Sequence, residues 1–170
     1  MKKEQKIVAI GAASGVAIMI LSVWGLAQLL PDAGIADTIA DRLAYTLKAN
    51  VFALAPLFIM LITIGNERFL SDAIDPTRHA ENAKMEIDGR VADNTLQQTV
   101  VFFITSLAVS TIVPYEQLNV VWALAIWFVI ARSAFWFGYR KHPLYRAPGM
   151  SGTAYMNLGM ILYVLTQTFF

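Results

Sequence analysis

The stretch 90–114, RVADNTLQQTVVFFITSLAVSTIVP, places a polar segment directly before an apolar run of membrane-spanning length. On an α-helix, Arg90, Asn94 and Gln97 share one face because they are separated by four and then three residues. Lipid offers such groups no hydrogen-bond partners, so we expect this face to meet protein or a water-filled cavity. The stretch therefore predicts a membrane helix that begins beside a cationic, amide-lined cleft, which suits a small anionic ligand.

The composition is typical of a membrane protein. Of the 170 residues, 57% are hydrophobic and only 15% are charged, which is too apolar for an ordinary soluble domain. The absence of cysteine excludes disulfides, cysteine metal sites and a thiol nucleophile supplied by the protein. His79 and His142 lie far apart in charged stretches, so neither a metal site nor a Ser-His-Asp triad is predicted. We also expect no nucleic-acid partner.

Charge-poor runs predict five transmembrane helices, since a helix needs roughly 20 apolar residues to cross the hydrocarbon. Their approximate ranges are 7–30, 48–65, 94–113, 118–139 and 151–170. Pro56 should kink the second span. Before that span, apolar residues recur every four positions from Ile35 to Leu47, which indicates either an amphipathic interfacial helix or an outward extension of the span. The predicted fold class is therefore all-α integral membrane.

The basic residues predict the orientation of these helices. Most of them lie before the first span, between the second and third, or near the end of the fourth, and only Arg42 and Lys48 lie on the other side. Because cytoplasmic loops are rich in lysine and arginine, we predict a cytoplasmic N-terminus and an external C-terminus, in the bacterial inner membrane or the endoplasmic reticulum. The first apolar run exceeds the roughly 7–15 residues of a signal-peptide core, which favours a retained membrane helix.

A second set of polar residues lies in and after the fourth span. Tyr139 follows Arg132 by seven residues on the same helix face, and Arg146 follows in a proline-stiffened connection, HPLYRAPGM. The polar residues on the predicted cytoplasmic side are Arg68, Arg90, Asn94, Gln97, Arg132, Tyr139 and Arg146. Guanidinium groups bind carboxylates through two parallel hydrogen bonds, so a ligand with two carboxylates would account for several of these arginines.

Three further charged residues have simpler interpretations. Arg140 and Lys141 follow the fourth span and are interpreted as interfacial charges on the cytoplasmic side. Asp93 is interpreted as an acidic residue favoured by the dipole at a helix N-terminus. None of the three is predicted to bind a ligand.

Three stretches resemble the MAPEG family, the membrane-associated proteins in eicosanoid and glutathione metabolism. Residues 90–98, RVADNTLQQ, are similar to its signature of arginine, three residues, asparagine, two residues and glutamate. Residues 64–84, IGNERFLSDAIDPTRHAENAK, resemble the end of the family's first helix and the loop after it. Residues 131–149, ARSAFWFGYRKHPLYRAPG, resemble the segment in which a tyrosine follows an arginine by seven positions and a later arginine precedes Ala-Pro. The resemblance covers about 46–170, a four-helix domain, and leaves 1–45 as an additional N-terminal transmembrane helix with an amphipathic linker.

The resemblance implies a homotrimeric membrane glutathione transferase, or a peroxidase, that acts on lipophilic electrophiles or lipids. It implies that glutathione, the co-substrate, binds between subunits at the cytoplasmic helix ends. The residues that it assigns to peptide binding are Arg68, Arg90, Asn94, Gln97, Arg132 and Tyr139. Arg146 matches the arginine that stabilises the glutathione thiolate, with the Tyr139 hydroxyl near the sulfur. A nearby guanidinium does favour the charged thiolate over the thiol.

The sequence departs from the family pattern at three places. Gln97 stands where glutamate is usual, which removes a negative charge near the ligand's ammonium group, and Phe135 stands where tyrosine or histidine is common. The first span has no counterpart in the four-helix subunit. These departures leave a second hypothesis open, a non-catalytic lipid-binding or scaffold subunit of a membrane complex. A channel or transporter subunit is disfavoured, because the polar groups cluster on one side of the membrane.

Overall fold

The computed structural model describes residues 2–170, and its regular secondary structure is helical. In chain order the helices are α1 (Lys3–Leu29), α2 (Ile39–Ala53), α3 (Ala55–Phe69), α4 (Ala83–Ile112), α5 (Val120–Lys141) and α6 (Ala147–Phe169). Single 3₁₀ turns occupy Asp72–Ile74, Pro76–Arg78, Tyr115–Gln117 and Pro143–Arg146. No strand occurs within residues 2–170, so the predicted all-α class is confirmed.

Four of the predicted spans form helical segments that are long and apolar enough to cross a membrane. Within residues 2–170 these segments are Lys3–Leu29, Ile39–Phe69, Ala83–Ile112 and Tyr115–Lys141. The fifth predicted span forms α6, which has 23 residues and no charged side chain but is less apolar. At about 1.5 Å per residue it is long enough to cross the hydrocarbon, and it packs along α1, α4 and α5. The protein is therefore an integral membrane protein.

The second span consists of α2 and α3, which are separated only by Leu54. Pro56 lies at the start of α3, so the helix is interrupted directly before it, as predicted. From Ile39 to Leu47 the apolar series lies in α2 and extends this span outward, rather than forming a separate interfacial helix, whereas Ile35 precedes the helix. Ile39 and Leu47 from that series are exposed, whereas the polar side of α2 is buried. In a bilayer the apolar face meets lipid, and polar groups find partners only inside the bundle.

Arg42 shows what the buried polar side of α2 does. Its guanidinium donates 3.0 Å and 2.7 Å hydrogen bonds to the carbonyl oxygens of Ser110 and Val113, at the end of α4. It also pairs with Asp37, whose Oδ1 lies 2.6 Å from its Nε. The last carbonyls of a helix lack partners within the helix, and a cation there also interacts favourably with the helix dipole. Arg42 therefore ties α2 to α4 at the end of the bundle opposite the predicted cytoplasmic side.

A buried ion pair joins α4 to α5 at the other end. Asp88 is fully buried and accepts hydrogen bonds from Arg140, with Nε–Oδ1 at 2.7 Å and Nη2–Oδ2 at 2.5 Å, and from Trp136 Nε1 at 2.7 Å. The Arg140 guanidinium also lies 4.4 Å from the centre of the Trp136 ring. The interpretation of Arg140 as a simple interfacial charge is therefore wrong. Its side chain is only 25% exposed, because the carboxylate of Asp88 holds it against the bundle.

The additional helix α1 packs on the outside of the bundle, mainly against α6 and α5. Gly15 is its buried residue, and a side chain there would overlap α6, since an added Cβ would lie 2.3 Å from the carbonyl oxygen of Pro148. The Ser151 hydroxyl donates a 3.0 Å hydrogen bond to the carbonyl oxygen of Ala12. Close backbone approach at small residues is a common way for helices to associate in membranes. The boundary drawn near residue 45 stays a prediction.

Candidate functional site

A polar cleft of about 310 Å³ opens between α4, α5 and the start of α6. The residues that line it are Arg90, Asp93, Asn94, Gln97, Phe135, Tyr139, Arg146 and Met150. Five of the seven predicted site residues therefore meet in one place. The other two, Arg68 and Arg132, lie elsewhere, and Asp93 was not predicted to belong to the site.

Helix α4 supplies half of the cleft through the spacing of its polar residues. Arg90, Asn94 and Gln97 point into the cleft, while Val91 and Thr95 on the adjacent face are fully buried against the bundle. This division follows from the helical period: residues three or four positions apart lie on one face of the helix, and their immediate neighbours in sequence point in other directions. The face proposed from the first stretch of sequence is therefore the face that the fold turns toward the cleft.

Arg132 lies beneath the cleft and is fully buried. It donates a 2.9 Å hydrogen bond to Asn94 Oδ1, a 3.1 Å hydrogen bond to the carbonyl oxygen of Gly149, and a further hydrogen bond to the Thr153 hydroxyl. Its guanidinium carbon also lies 4.5 Å from the centre of the Phe135 ring. In this structure Arg132 joins three helices and holds cleft residues in place from below. Direct contact between Arg132 and a ligand stays a prediction.

The contact with Arg132 determines which way the Asn94 side chain points. A guanidinium only donates hydrogen bonds, so it requires the carbonyl oxygen of the amide. The NH₂ group of Asn94 is then left to donate hydrogen bonds on the cleft side. Asn94 thus presents a donor, which is suited to a peptide carbonyl or a carboxylate.

Tyr139 and Arg146 form the opposite wall of the cleft. Arg146 Nη1 lies 3.4 Å from the Tyr139 hydroxyl oxygen, and its guanidinium carbon lies 5.1 Å from the centre of the ring. Because Arg146 donates to the phenol oxygen, the phenol proton remains available for an acceptor in the cleft. Gly138 makes this pairing possible, since an added Cβ would lie 2.5 Å from the carbonyl oxygen of Tyr145 in the turn that carries Arg146. Both groups can therefore donate to one anionic atom.

The charges that line the cleft are two guanidinium groups and one carboxylate. The Arg90 side chain is 69% exposed, and its Nη2 lies 3.9 Å from a carboxylate oxygen of Glu86. Such a distant, exposed pair holds the arginine weakly and leaves its donors available to a ligand. The cleft is therefore suited to an anion that also carries a positive group, while Phe135 and Met150 supply apolar contact.

Arg68 does not reach this cleft within the same protomer. It lies in the last turn of α3, where its Nη2 is 3.2 Å from Glu81 Oε1 in the loop before α4. Its side chain remains 42% exposed at the same end of the bundle. Arg68 is therefore on the predicted side of the membrane but outside the group formed by the other five residues.

An apolar cavity of about 250 Å³ lies on the far side of Arg146. Its walls include Val8 and Ala12 from α1, together with Ala154 from α6. Arg146 and Met150 line both this cavity and the polar cleft. Sequence reasoning did not find this cavity, because no spacing within α1 indicates which helix it contacts.

Comparisons with known proteins agree with the fold and the motifs. The profile described as the MAPEG family matches residues 46–166. Transmembrane protein 79 from Mus musculus is 27% identical over 148 residues, which cover 86% of this chain and 38% of that protein. Transmembrane protein 79 from Bos taurus is 26% identical over 155 residues, which cover 89% of this chain and 39% of that protein.

The chain thus spans less than two fifths of the length of these curated relatives. No solved structure matches it. The family profile covers most of the chain, including all the residues of the polar cleft, and the additional helix α1 lies outside the matched range. From this match and the helical membrane fold, we conclude that the chain belongs to the MAPEG family.

Proposed function

We propose that this protein binds glutathione in the polar cleft and conjugates it to lipophilic electrophiles. The observation that carries the proposal is the meeting of Arg90, Asn94, Tyr139 and Arg146 around one cavity, although they come from separate stretches of sequence. Glutathione offers two carboxylates, two peptide groups and a thiol, which match guanidinium, amide and hydroxyl donors. The cavity is at the lower end of the size range of small-molecule sites.

The wall formed by Arg146 and Tyr139 would hold the sulfur. Both groups can donate to one atom, so a thiolate there would gain a charge-assisted hydrogen bond and a second bond from the phenol. The thiolate would attack the electrophilic carbon of an aryl halide, forming the carbon–sulfur bond as the carbon–halide bond breaks and halide leaves. With a lipid hydroperoxide, two glutathione molecules would instead yield the alcohol, water and glutathione disulfide.

The apolar cavity beside Arg146 would hold the lipophilic acceptor. It shares Arg146 and Met150 with the polar cleft, so an acceptor in the cavity and a thiolate in the cleft would lie on two sides of the same guanidinium. The acceptor would enter from the bilayer and glutathione from the aqueous side. This arrangement gives the additional helix α1 a part in the reaction, as one wall of the acceptor cavity.

A homotrimer would complete the polar cleft. Arg68 lies at the same end of the bundle, remains partly exposed and does not line the cleft of its own protomer. In a trimer with sites between subunits, Arg68 of a neighbouring copy would supply a further guanidinium for a ligand carboxylate. This assignment accounts for a predicted site residue that the single protomer leaves aside.

The experiment is to purify the protein in detergent and measure both glutathione binding by calorimetry and conjugation of 1-chloro-2,4-dinitrobenzene. We expect saturable binding, and turnover that falls in Arg146→Ala while folding and assembly remain as in the wild type. Absence of both glutathione binding and conjugation would contradict the proposal.

A second candidate function is a non-catalytic subunit that binds a lipid or a glutathione-like peptide. The observation that favours it is that the cleft is lined by Gln97 and Phe135, which stand where the family pattern has a glutamate and a tyrosine or histidine. Saturable glutathione binding without turnover of either an aryl halide or a lipid hydroperoxide would support this function over the first.

A further inference from the structure

Asp93 is the acidic residue among those that line the polar cleft. Helix α4 begins at Ala83, so Asp93 lies almost three turns inside the helix, beyond the reach of the N-terminal dipole. The interpretation of Asp93 as a helix N-terminal charge is therefore wrong. Its side chain is exposed to the cleft, and within residues 2–170 it has no salt-bridge partner.

The nearby cations do not use the Asp93 carboxylate in this structure. Arg90, three residues earlier, has its Nη2 3.9 Å from a carboxylate oxygen of Glu86, and Arg146 donates to the Tyr139 hydroxyl. An unpaired carboxylate close to the apolar part of a membrane helix is costly, and such groups typically serve a ligand or a partner. Asp93 is thus available to a cation that enters the cleft.

The charge pattern of the cleft complements that of glutathione. Glutathione carries two carboxylates and one ammonium group, and the cleft carries two guanidiniums, on Arg90 and Arg146, and one carboxylate. Gln97 is four residues after Asp93, so the two Cβ atoms are about 5–6 Å apart on one helix face. A carboxylate at 93 therefore faces nearly the same part of the cleft as the glutamate expected at 97 in the family pattern.

We propose that Asp93 binds the α-ammonium group of the γ-glutamyl residue and makes the cleft prefer glutathione over anionic peptides that lack an amine. This inference rests on the proposed function and deepens it, because it identifies a specificity-determining residue of the same site. It also accounts for glutamine at position 97, because the carboxylate that the family pattern has at 97 would be supplied here by Asp93, one helical turn nearer the start of α4.

The test compares two ligands that differ only in the amine. Glutathione is one, and glutaryl-cysteinylglycine, in which hydrogen replaces the α-ammonium group, is the other. We expect the wild type to bind glutathione at least about tenfold more tightly, the difference made by one charge-assisted hydrogen bond. In Asp93→Asn this preference should collapse to about twofold or less, mainly through weaker glutathione binding. Asp72→Asn, an exposed acidic residue in the turn after α3, is the matched control and should keep the wild-type preference.

A rescue variant keeps the result interpretable. Adding Gln97→Glu to Asp93→Asn should restore at least a fivefold preference for glutathione, because the carboxylate returns one turn further along the same face. Equal weakening of both ligands in Asp93→Asn, with no rescue, would overturn the inference and give Asp93 a purely structural role. An unchanged preference in Asp93→Asn would overturn it as well. If the wild type binds neither ligand, the proposed function itself fails, and the role of Asp93 fails with it.

Discussion

Replacing Arg146 with glutamine tests the proposed chemistry most directly. The Arg146 guanidinium lies 3.4 Å from the Tyr139 hydroxyl oxygen. A thiolate that accepts hydrogen bonds from both side chains would therefore lie directly beside the positive charge. Glutamine removes the charge and keeps a neutral hydrogen-bond donor, although its side chain is two bonds shorter than that of arginine. Ionisation of the thiol depends on pH whereas positioning of the sulfur does not, so the pH dependence of the variant separates the two contributions.

The expected magnitude follows from the thiol equilibrium. A thiol has an ordinary pKa of about 8.5, and an opposite charge within a few ångströms lowers such a pKa by about one to three. If Arg146 lowers the pKa of bound glutathione to about 6.5, about three quarters of the thiol is ionised at pH 7, against about 3% without the charge. Turnover at pH 7 should then fall roughly 25-fold in Arg146→Gln, equivalent to about 1.9 kcal/mol. At pH 9 the two proteins should differ by less than about twofold from this cause.

The assay is the pH dependence of kcat/KM for conjugation, together with the ultraviolet absorption of the bound thiolate. Both should show a transition that moves to higher pH by about two in Arg146→Gln. Lys141→Gln is the matched control, because it removes an exposed positive charge at the end of α5 without touching the cleft, and its profile should match that of the wild type. A loss of activity in Arg146→Gln that is the same at every pH would refute the reasoning, since removing a pKa effect cannot produce it.

Three further predictions concern the surroundings of the site. Asp88→Ala should lower the free energy of unfolding in detergent by about 3 kcal/mol, measured by denaturant titration, because it leaves a largely buried guanidinium without its carboxylate. Arg132→Gln should weaken glutathione binding about tenfold, because it releases the Asn94 amide. Adding Asn94→Ala to this variant should weaken binding little further, and a double-mutant cycle measured by calorimetry would show this coupling. Ala12→Phe should raise KM for a lipophilic electrophile several-fold by filling the apolar cavity, while KM for glutathione stays unchanged. Ala13→Phe, at an exposed position of the same turn, is the control and should leave both KM values unchanged.

Much of the polar cleft could be predicted from sequence because its two halves are each encoded locally. Helical spacing alone places Arg90, Asn94 and Gln97 on one face, and the seven-residue interval relates Arg132 to Tyr139. The break before Pro56 is equally local, since it depends on the missing amide hydrogen and on the ring of that residue. Features of this kind need no knowledge of which helices are neighbours.

The remaining features depend on pairing between helices and could not be read from spacing. Asp88 gives no sign in the sequence that it pairs with Arg140, more than fifty residues away. Arg132 and Tyr139 share a helix face, yet the fold buries the first under Asn94 and leaves the second at the cleft. The apolar series around Ile39 could be recognised from the sequence as an amphipathic pattern. Which face is buried depends on the solvent, because in water the apolar face packs into the core, whereas in lipid it faces outward and the polar face is buried.

Arg146 lies between the sites proposed for two substrates, one of which binds from water and the other from lipid. Glutathione is charged and must bind where water can deliver it, whereas a lipophilic acceptor concentrates in the bilayer. A site that joins them needs one charged group with a polar cavity on one side and an apolar cavity on the other, and Arg146 has both. The family profile begins at residue 46, while part of the apolar wall comes from Val8 and Ala12. The cleft proposed to bind glutathione therefore lies within the range that the family profile matches, and α1, which lies outside that range, is the element best placed to determine which acceptors would fit.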